Sequence, residues 1–338
     1  KEGMALFRRY FLPRFIQYLV VLIVGMNMIF FIPRLMPSDP IESRLSQMTA
    51  QGQYLDPAAM EGLRESLAEL YGLEGSMFEQ YAAYWKRLFS GDLGPSFSQF
   101  PTPVVELLKS SLPWTVGLLT VNLLLSWIIG TILGAVTAFY PDSKLTKVIE
   151  ILAMGIRPIP YYIMALALVI LFAFVFPIFP MAGGYSMGTK IGFNSRFILD
   201  LLRHAFLPLM SLVILGIGGW FLQMRNVASN IVEEGYVEYA EASGLSKTKI
   251  ILHYIIPNAI MPQLTGLAIN IGFIFGGALI TEIVFSYPGI GSLLYNAIIA
   301  EDYNLIMGIN IFSIVAVSTA MFIVDMIYPL LDPRIRYQ

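Results

Sequence analysis

Stretches free of Asp, Glu, Lys and Arg recur along the chain. Six of them stand out, at 15–33, 110–141, 158–189, 204–224, 250–281 and 303–324. A bilayer core needs about 20 apolar residues per helix, so each window predicts one membrane span. The three longest also leave room for part of a loop. A seventh window, 283–300, contains Ser286-Tyr287-Pro288-Gly289-Ile290-Gly291. Proline removes a backbone donor and the flanking glycines break a helix. That window is therefore read as a re-entrant or surface loop rather than a span.

The basic flank Arg8, Arg9 and Arg14 before the first window resembles that of a signal peptide. The apolar run is too long for one, however, and Pro33-Arg34-Leu35-Met36-Pro37 is no small-residue cleavage site. The window is kept as a membrane helix. Lys and Arg then set the orientation, because they concentrate on the cytoplasmic side. With the N-terminus inside, the inside segments hold Lys1, Arg8, Arg9, Arg14, Lys144, Lys147, Arg225, Lys247, Lys249, Arg334 and Arg336. The 178–203 loop outside holds only Lys190, Arg196 and Arg203, and the 286–302 loop holds none. Six spans with both termini cytoplasmic satisfy this bias. A seventh span would carry Arg334 and Arg336 outside.

Composition agrees. Of 338 residues, 57% are apolar and 13% charged, about half the charged share of a soluble domain. That excludes a soluble globule, and disorder with it, since disorder needs low hydrophobicity and high charge. A net charge of −2 gives no sign of nucleic-acid binding. Without cysteine there are no disulfides, thiolate metal sites or cysteine nucleophiles. Two histidines, His204 and His253, are too few for a histidine metal cage.

The segment between the first two spans, about 37–109, is more polar. Asp56-Pro57 reads as a cap and first-turn proline. Leu63, Leu67, Leu70 and Tyr71, then Tyr81, Tyr84, Trp85 and Leu88, follow at helical spacing. Two short amphipathic helices are expected over 56–90, with an ordered loop at Gly91-Asp92-Leu93-Gly94 and Pro95, Pro101 and Pro103. Either a solvated cap or a docking platform for an external partner fits this pattern.

Catalytic signatures are missing. Neither H-E-x-x-H nor G-x-S-x-G occurs. Gly244-Leu245-Ser246-Lys247-Thr248 looks like the end of a P-loop but lacks its first glycine and the glycine before the lysine. The chain is expected to bind no ATP itself. The 225–258 loop is the largest inside segment. Residues 236–243 can form a short helix, with Ala240 and Gly244 on one face. Gly244 suits a left-handed helix end, and Ser246 can cap the next helix. Spacing alone favours an ordinary helical hairpin over a force-transmitting element seated in a groove of a soluble partner.

Glu238-Tyr239-Ala240, Gly244 four residues after Ala240 and Pro257 thirteen residues further resemble the Glu-Ala-Ala signature loop of ABC importer permeases, with Tyr239 in place of an alanine. Further marks resemble the dipeptide/oligopeptide/nickel branch of that family. They are Arg8-Arg9, Met36-Pro37-Ser38-Asp39-Pro40, Gly91-Asp92-Leu93-Gly94, Leu112-Pro113, Glu282-Ile283-Val284-Phe285, Tyr287-Pro288-Gly289-Ile290-Gly291, Asp302-Tyr303, Asp325-Met326-Ile327-Tyr328 and Asp332-Pro333-Arg334. Trp114, Gly219-Trp220 and Met224-Arg225-Asn226 are similar to oligosaccharide-importing members.

The resemblance implies an all-α polytopic membrane protein with six transmembrane helices. Its fold would be that of a type I ABC importer permease, with an extracytoplasmic insertion between helices 1 and 2. The segments would be 1–36 (N-terminal segment and first helix), 37–110 (insertion) and 111–338 (core permease domain, with the coupling loop at 225–258). It implies a permease subunit of a prokaryotic cytoplasmic membrane, moving a short peptide or oligosaccharide by alternating access. A second homologous permease, two cytoplasmic ATPases carrying ATP and Mg, and an extracytoplasmic solute-binding protein would complete the machine. Glu238, Tyr239, Ala240, Gly244, Leu245 and Ser246 would form the ATPase-coupling helix. Tyr287, Pro288, Gly289 and Gly291 would lie near the pathway mouth or the binding protein.

Polar residues within spans usually face a cavity or a partner. Arg157, before Pro158-Ile159-Pro160, is expected either to line the pathway or to snorkel to the surface. Asn122, Asn270 and Asn310 are pathway candidates whose alternative role is hydrogen bonding between helices. Glu282 is placed near the interface at the end of span five, and Asp325 is expected to pair with Arg334. Gly130/Gly134 and Gly272/Gly276 mark close helix packing, within the chain or against the second permease. A channel or secondary transporter would need repeated intramembrane acidic residues. A membrane-embedded enzyme would need a convergent nucleophile, base or metal set. Neither pattern is present.

Overall fold

The computed structural model describes residues 10–35, 41–42, 45–46, 49, 56–72 and 75–331. Regular structure among them is helical, apart from an isolated bridge between Pro95 and Pro103. The motifs at Arg8-Arg9, 36–40 and 332–334 lie outside the described residues, as do Lys1, Arg336 and the expected partner of Asp325. The chain falls into two compact units, residues 1–112 with 293–318 and residues 113–292 with 319–338.

The first unit opens with α1 (Leu12–Leu35). The two amphipathic helices follow as α2 (Pro57–Tyr71) and α3 (Met77–Ser90). Asp56 occupies the N-cap of α2, but its side chain makes no capping bond; the proline at the first turn, whose missing N–H costs nothing there, fixes the start instead. Gly72 ends α2 in the left-handed conformation at φ 63°. The start of α3 is fully capped. Ser76 Oγ accepts from Glu79 N, and Ser76 N donates to Glu79 Oε2 at 2.7 Å. The bond from Ser76 N first, and one that Ser76 Oγ donates to Glu79 Oε2 at 2.9 Å second, hold the Glu79 carboxyl below the usual carboxylate range.

The ordered loop after α3 has an anchor that sequence reading did not supply. Asp302 is fully buried. Its Oδ2 accepts from Ser96 Oγ at 2.5 Å, Phe97 N at 2.8 Å, Ser98 N at 2.9 Å and Ser98 Oγ at 2.8 Å, while Oδ1 accepts from Leu305 N at 3.0 Å. A carboxylate with this many donors is satisfied without water.

The second unit holds most of α4 (Val104–Phe139), α5 (Lys144–Ile156) and α6 (Tyr161–Val169), which runs on into a wider π turn at Ile170–Val175. Next come α7 (Ser195–Val232), α8 (Gly235–Ala242) and α9 (Lys247–Ile250). A π turn, Ile251–Ile255, leads into α10 (Ile256–Phe273) and a 3-10 turn at Ile274–Gly276. The helices α11 (Leu279–Val284) and α12 (Ile290–Ile299) precede α13 (Tyr303–Leu331). Among the described residues, Leu12–Ile32, Val104–Phe139, Ser195–Val232, Lys247–Gly276 and Tyr303–Ile327 are each long and apolar enough to cross a membrane.

Three expectations need correction. First, the window at 158–189 does not hold one straight helix of span length among the described residues. Helix 161–175 is about 22 Å long at 1.5 Å per residue and follows α5 at a bend of 103°. The two together make a sixth span only if counted as one. Second, α5 was read as inside loop because Lys144, Lys147 and Glu150 interrupt its apolar pattern. Its outer face nevertheless presents Leu145, Val148, Ile151 and Leu152. Third, the 283–300 window is helical on both sides of its break, as α11 and α12, with Ser286 at φ 46° between them.

Close packing at the Gly130/Gly134 pair is satisfied within the chain. A Cβ on Gly130 would fall 2.5 Å from Trp220 Cβ, and one on Gly134 would fall 2.7 Å from both Met224 Cβ and the Phe221 carbonyl. These glycines let α4 lie directly on α7. Gly272 similarly accommodates Met321 Sδ, whereas Gly276 faces open space.

Candidate functional site

Where the middle of α4 and the helices α7 and α10 pass the bend between α5 and α6, they line an open cavity of about 530 Å³. Arg157, Asn122, Asn270, Tyr161, Trp220 and Gln223 line it. The double proline explains the position of Arg157. It ends α5 as the C-cap residue, and Pro160 restarts the chain as the N-cap of α6 in an extended conformation. Its guanidinium is exposed rather than paired with a described neighbour. Gly216, Gly219 and Gly266 also lie on the wall; at Gly266 a Cβ would press on the Trp220 ring at 3.0 Å.

Three of the five pathway candidates thus meet at one cavity, and two do not. Asn310 belongs to the other unit, and its Nδ2 donates to Ile306 O of its own helix at 2.8 Å. Glu282 is fully buried, away from that cavity. The expected hydrogen bonds between helices are also replaced. Asn270 Nδ2 donates to Gly266 O at 2.8 Å, and Asn122 Oδ1 accepts from Ser126 Oγ at 3.2 Å, each within its own helix. An asparagine satisfied by its own helix leaves its remaining polar atoms toward the cavity.

Glu282 instead organises the Tyr287-Pro288-Gly289-Ile290-Gly291 turn. Its Oε1 accepts from Thr115 Oγ1 at 2.8 Å and from Ala278 N at 3.4 Å; its Oε2 accepts from Gly291 N at 2.6 Å and Ser292 N at 3.1 Å. Those last two are orphan donors at the start of α12, where a negative charge is favoured. Thr115 Oγ1 also accepts from Ile290 N at 2.8 Å, tying α4 to the turn. The glycines are required by space: a Cβ on Gly289 would fall within 2.3–2.5 Å of the Glu282 carboxylate, and one on Gly291 2.6 Å from Leu279 Cα. Tyr287 is buried against the edge of Trp114, ring centroids 5.6 Å apart. Burial first, and the Glu282 charge second, push the Tyr287 phenol up to about 12, so it stays neutral. Pro288 packs over Gly184, where a Cβ would fall 2.9 Å from its Cγ.

The third assembly is α8. Val237 and Ala240 are buried in an apolar cluster with Ala135, Phe139, Met224, Ala228 and Ile255. Leu245 packs on the same cluster. Tyr239 points away and is 76% exposed, and Glu238 is exposed as well. Gly244 adopts φ 74°, the expected left-handed helix end, but a Cβ there would meet nothing; its constraint is conformational and not one of close approach. Ser246 is the N-cap residue of α9 but makes no side-chain capping bond. Sequence reading missed the Arg225–Glu150 ion pair, which joins α7 to α5. The charge of Arg225 ends the apolar window but not the helix. Arg225 lies within α7, and the same pair accounts for it without reference to a sugar. Trp114 likewise packs on Tyr185 and Tyr287, leaving Gly219-Trp220 as the part of the oligosaccharide-like pattern that lines the cavity.

Helices of membrane-crossing length thus line the cavity that holds Arg157, Asn122 and Asn270, and the short helix α8 packs on the apolar cores of α4 and α7. The profile of the binding-protein-dependent transport system inner membrane component family matches residues 130–337. The chain is similar to the probable D,D-dipeptide transport system permease protein of Escherichia coli (strain K12), 31% identical over 332 residues with 94% of each chain covered. It is also similar to the oligopeptide transport system permease proteins of Bacillus subtilis (strain 168) and Haemophilus influenzae. These are each 28% identical, with 94% and 97% of this chain and 96% and 99% of theirs covered. The chain belongs to that family, as an ABC importer permease of its dipeptide and oligopeptide branch.

Proposed function

We propose that this permease is one membrane half of an ATP-driven importer of short peptides. A second homologous permease completes the pathway, two cytoplasmic ATPases bind ATP and Mg, and an extracytoplasmic binding protein delivers the solute. Both termini lie in the cytoplasm. Nucleotide binding by the ATPases moves α8, and α8 moves the unit it is welded to, so the pathway alternates between two states. Hydrolysis belongs to the partners.

The observation that carries this reading is the convergence of Arg157, Asn122 and Asn270 on the cavity. A guanidinium in a partly apolar pocket suits a planar carboxylate such as a peptide C-terminus. The amides can bond to peptide N–H and C=O groups, and Tyr161 and Trp220 offer apolar walls. The names of the relatives, all peptide transporters, favour peptide over oligosaccharide. Uptake of a labelled dipeptide by the complete transporter in proteoliposomes tests it. Arg157→Gln is expected to lower uptake of the dipeptide at least tenfold, about 1.4 kcal/mol, and to have less effect on its C-terminal amide. Equal uptake by both proteins would remove Arg157 from the pathway.

A further inference from the structure

The helix α3 belongs to the polar segment between the first two spans. It packs along α1 well inside the apolar run. Tyr81 Oη donates to Asn27 Oδ1 at 2.8 Å, and Tyr84 Oη donates to the Met26 carbonyl at 3.0 Å. Arg34, whose guanidinium lies 3.8 Å over the Phe30 ring and bonds Gln80 Oε1 at 3.1 Å, is the charge that ends that run. Met26 is about 12 Å along the helix from Arg34 at 1.5 Å per residue. In a bilayer crossed by α1, the rings of α3 would reach the depth of the acyl chains.

Three faces of α3 can be separated. Tyr81 and Tyr84 turn towards α1. Glu79, Ala83, Lys86 and Ser90 form an exposed, mostly polar stripe. Between them runs a third stripe at helical spacing: Phe78, Ala82, Trp85 and Phe89. Phe78 is 79% exposed and Phe89 83%. That stripe continues the outward face of α1 without a break, since Phe31 stacks on Tyr81 at 5.9 Å, Tyr81 meets Trp85 at 6.2 Å and Trp85 meets Phe89 at 5.7 Å. Phe31 and its neighbours Met28 and Ile32 are themselves exposed.

We propose that α3 is a membrane-surface helix, lying in the boundary between headgroups and acyl chains with the Phe78/Ala82/Trp85/Phe89 stripe covered by lipid. Depth, continuity with the apolar face of α1 and a polar stripe on the other side all fit lipid as the occupant. Tyr and Trp belong at this level, where a ring can be buried while its polar atom finds a partner. The helix would then fix the tilt of α1 and hold the 91–103 loop near the bilayer surface.

The chain has no cysteine, so single nitroxide labels can be placed at positions 78, 79, 86 and 89 in the complete transporter in lipid vesicles. Collision with oxygen, which dissolves in lipid, is expected to exceed collision with a water-soluble nickel chelate severalfold at 78 and 89. The ratio is expected to reverse at 79 and 86. Dominance of the nickel chelate at 78 and 89 would place the stripe in water and overturn the proposal. Exclusion of both reagents there would mean a protein partner covers it, and would overturn the proposal equally. A variant keeping only Trp85, with Trp114, Trp127 and Trp220 changed to Phe, supplies an independent reading. Its fluorescence is expected to be quenched by lipids brominated on the acyl chain, and unquenched emission would contradict the assignment.

Discussion

The two ends of α4 are held in different ways. Near its start, Thr115 joins a buried carboxylate and the backbone of the Gly289–Ser292 turn through directional hydrogen bonds. At its far end, Phe139 joins Val237 and Ala240 of α8 in an apolar cluster, and among the described residues no side-chain hydrogen bond links α8 to α4. About 24 residues separate these points, roughly 36 Å of helix, a little more than the hydrocarbon core of a bilayer. A polar network fixes one geometry, because each misplaced group leaves a buried atom unpaired. An apolar seat tolerates small rotations at little cost. The turn is thus built to stay, whereas the apolar seat of α8 can give slightly without coming apart.

Mutations sharpen this contrast. Glu282→Ala is expected to have the largest effect, about 3 kcal/mol of stability, because four donors lose a charged acceptor; thermal unfolding of the purified chain measures it, and Glu282→Gln should recover part. Ala240→Leu adds volume beneath α8 and should cost about 1–3 kcal/mol by overpacking, with the Glu282 end unaffected in proteolysis. Thr115→Val removes a donor and an acceptor together and should cost about 1–2 kcal/mol. Gly244→Val forces a β-branched residue into the left-handed region and should cost about 1–2 kcal/mol, whereas Gly244→Asn should cost much less. An equal penalty for both would mean that space, not backbone conformation, selects glycine there. Tyr239→Ala should leave stability unchanged while uncoupling ATP hydrolysis from uptake.

The membrane helices were legible because the cost of burying charge empties each span of Asp, Glu, Lys and Arg. Their ends were not. The helix α4 begins at Val104, before Glu106 and Lys109, and α7 begins at Ser195 and runs past Arg225 to Val232; a charge ends the apolar window but not the hydrogen-bonded helix. The helix α5 was hidden for the same reason. Among site residues, Arg157, Asn122 and Asn270 stood out as polar groups in apolar surroundings, and that signal survives in the cavity. Glu282 stood out equally and has a different task, because its donors come from residues 115, 278, 291 and 292, a set assembled only by tertiary packing. The Pro288-Gly289 break was visible, yet the carboxylate beneath the glycine was not.

The central claim is that α8 is the seat of a nucleotide-driven partner. A photoreactive amino acid at position 239, activated in native membranes, tests it most directly. The expected result is an adduct with the ATPase subunit that strengthens or weakens when ATP is bound and not hydrolysed. Capture of only membrane or extracytoplasmic proteins from that position, with no ATPase adduct in any nucleotide state, would contradict it.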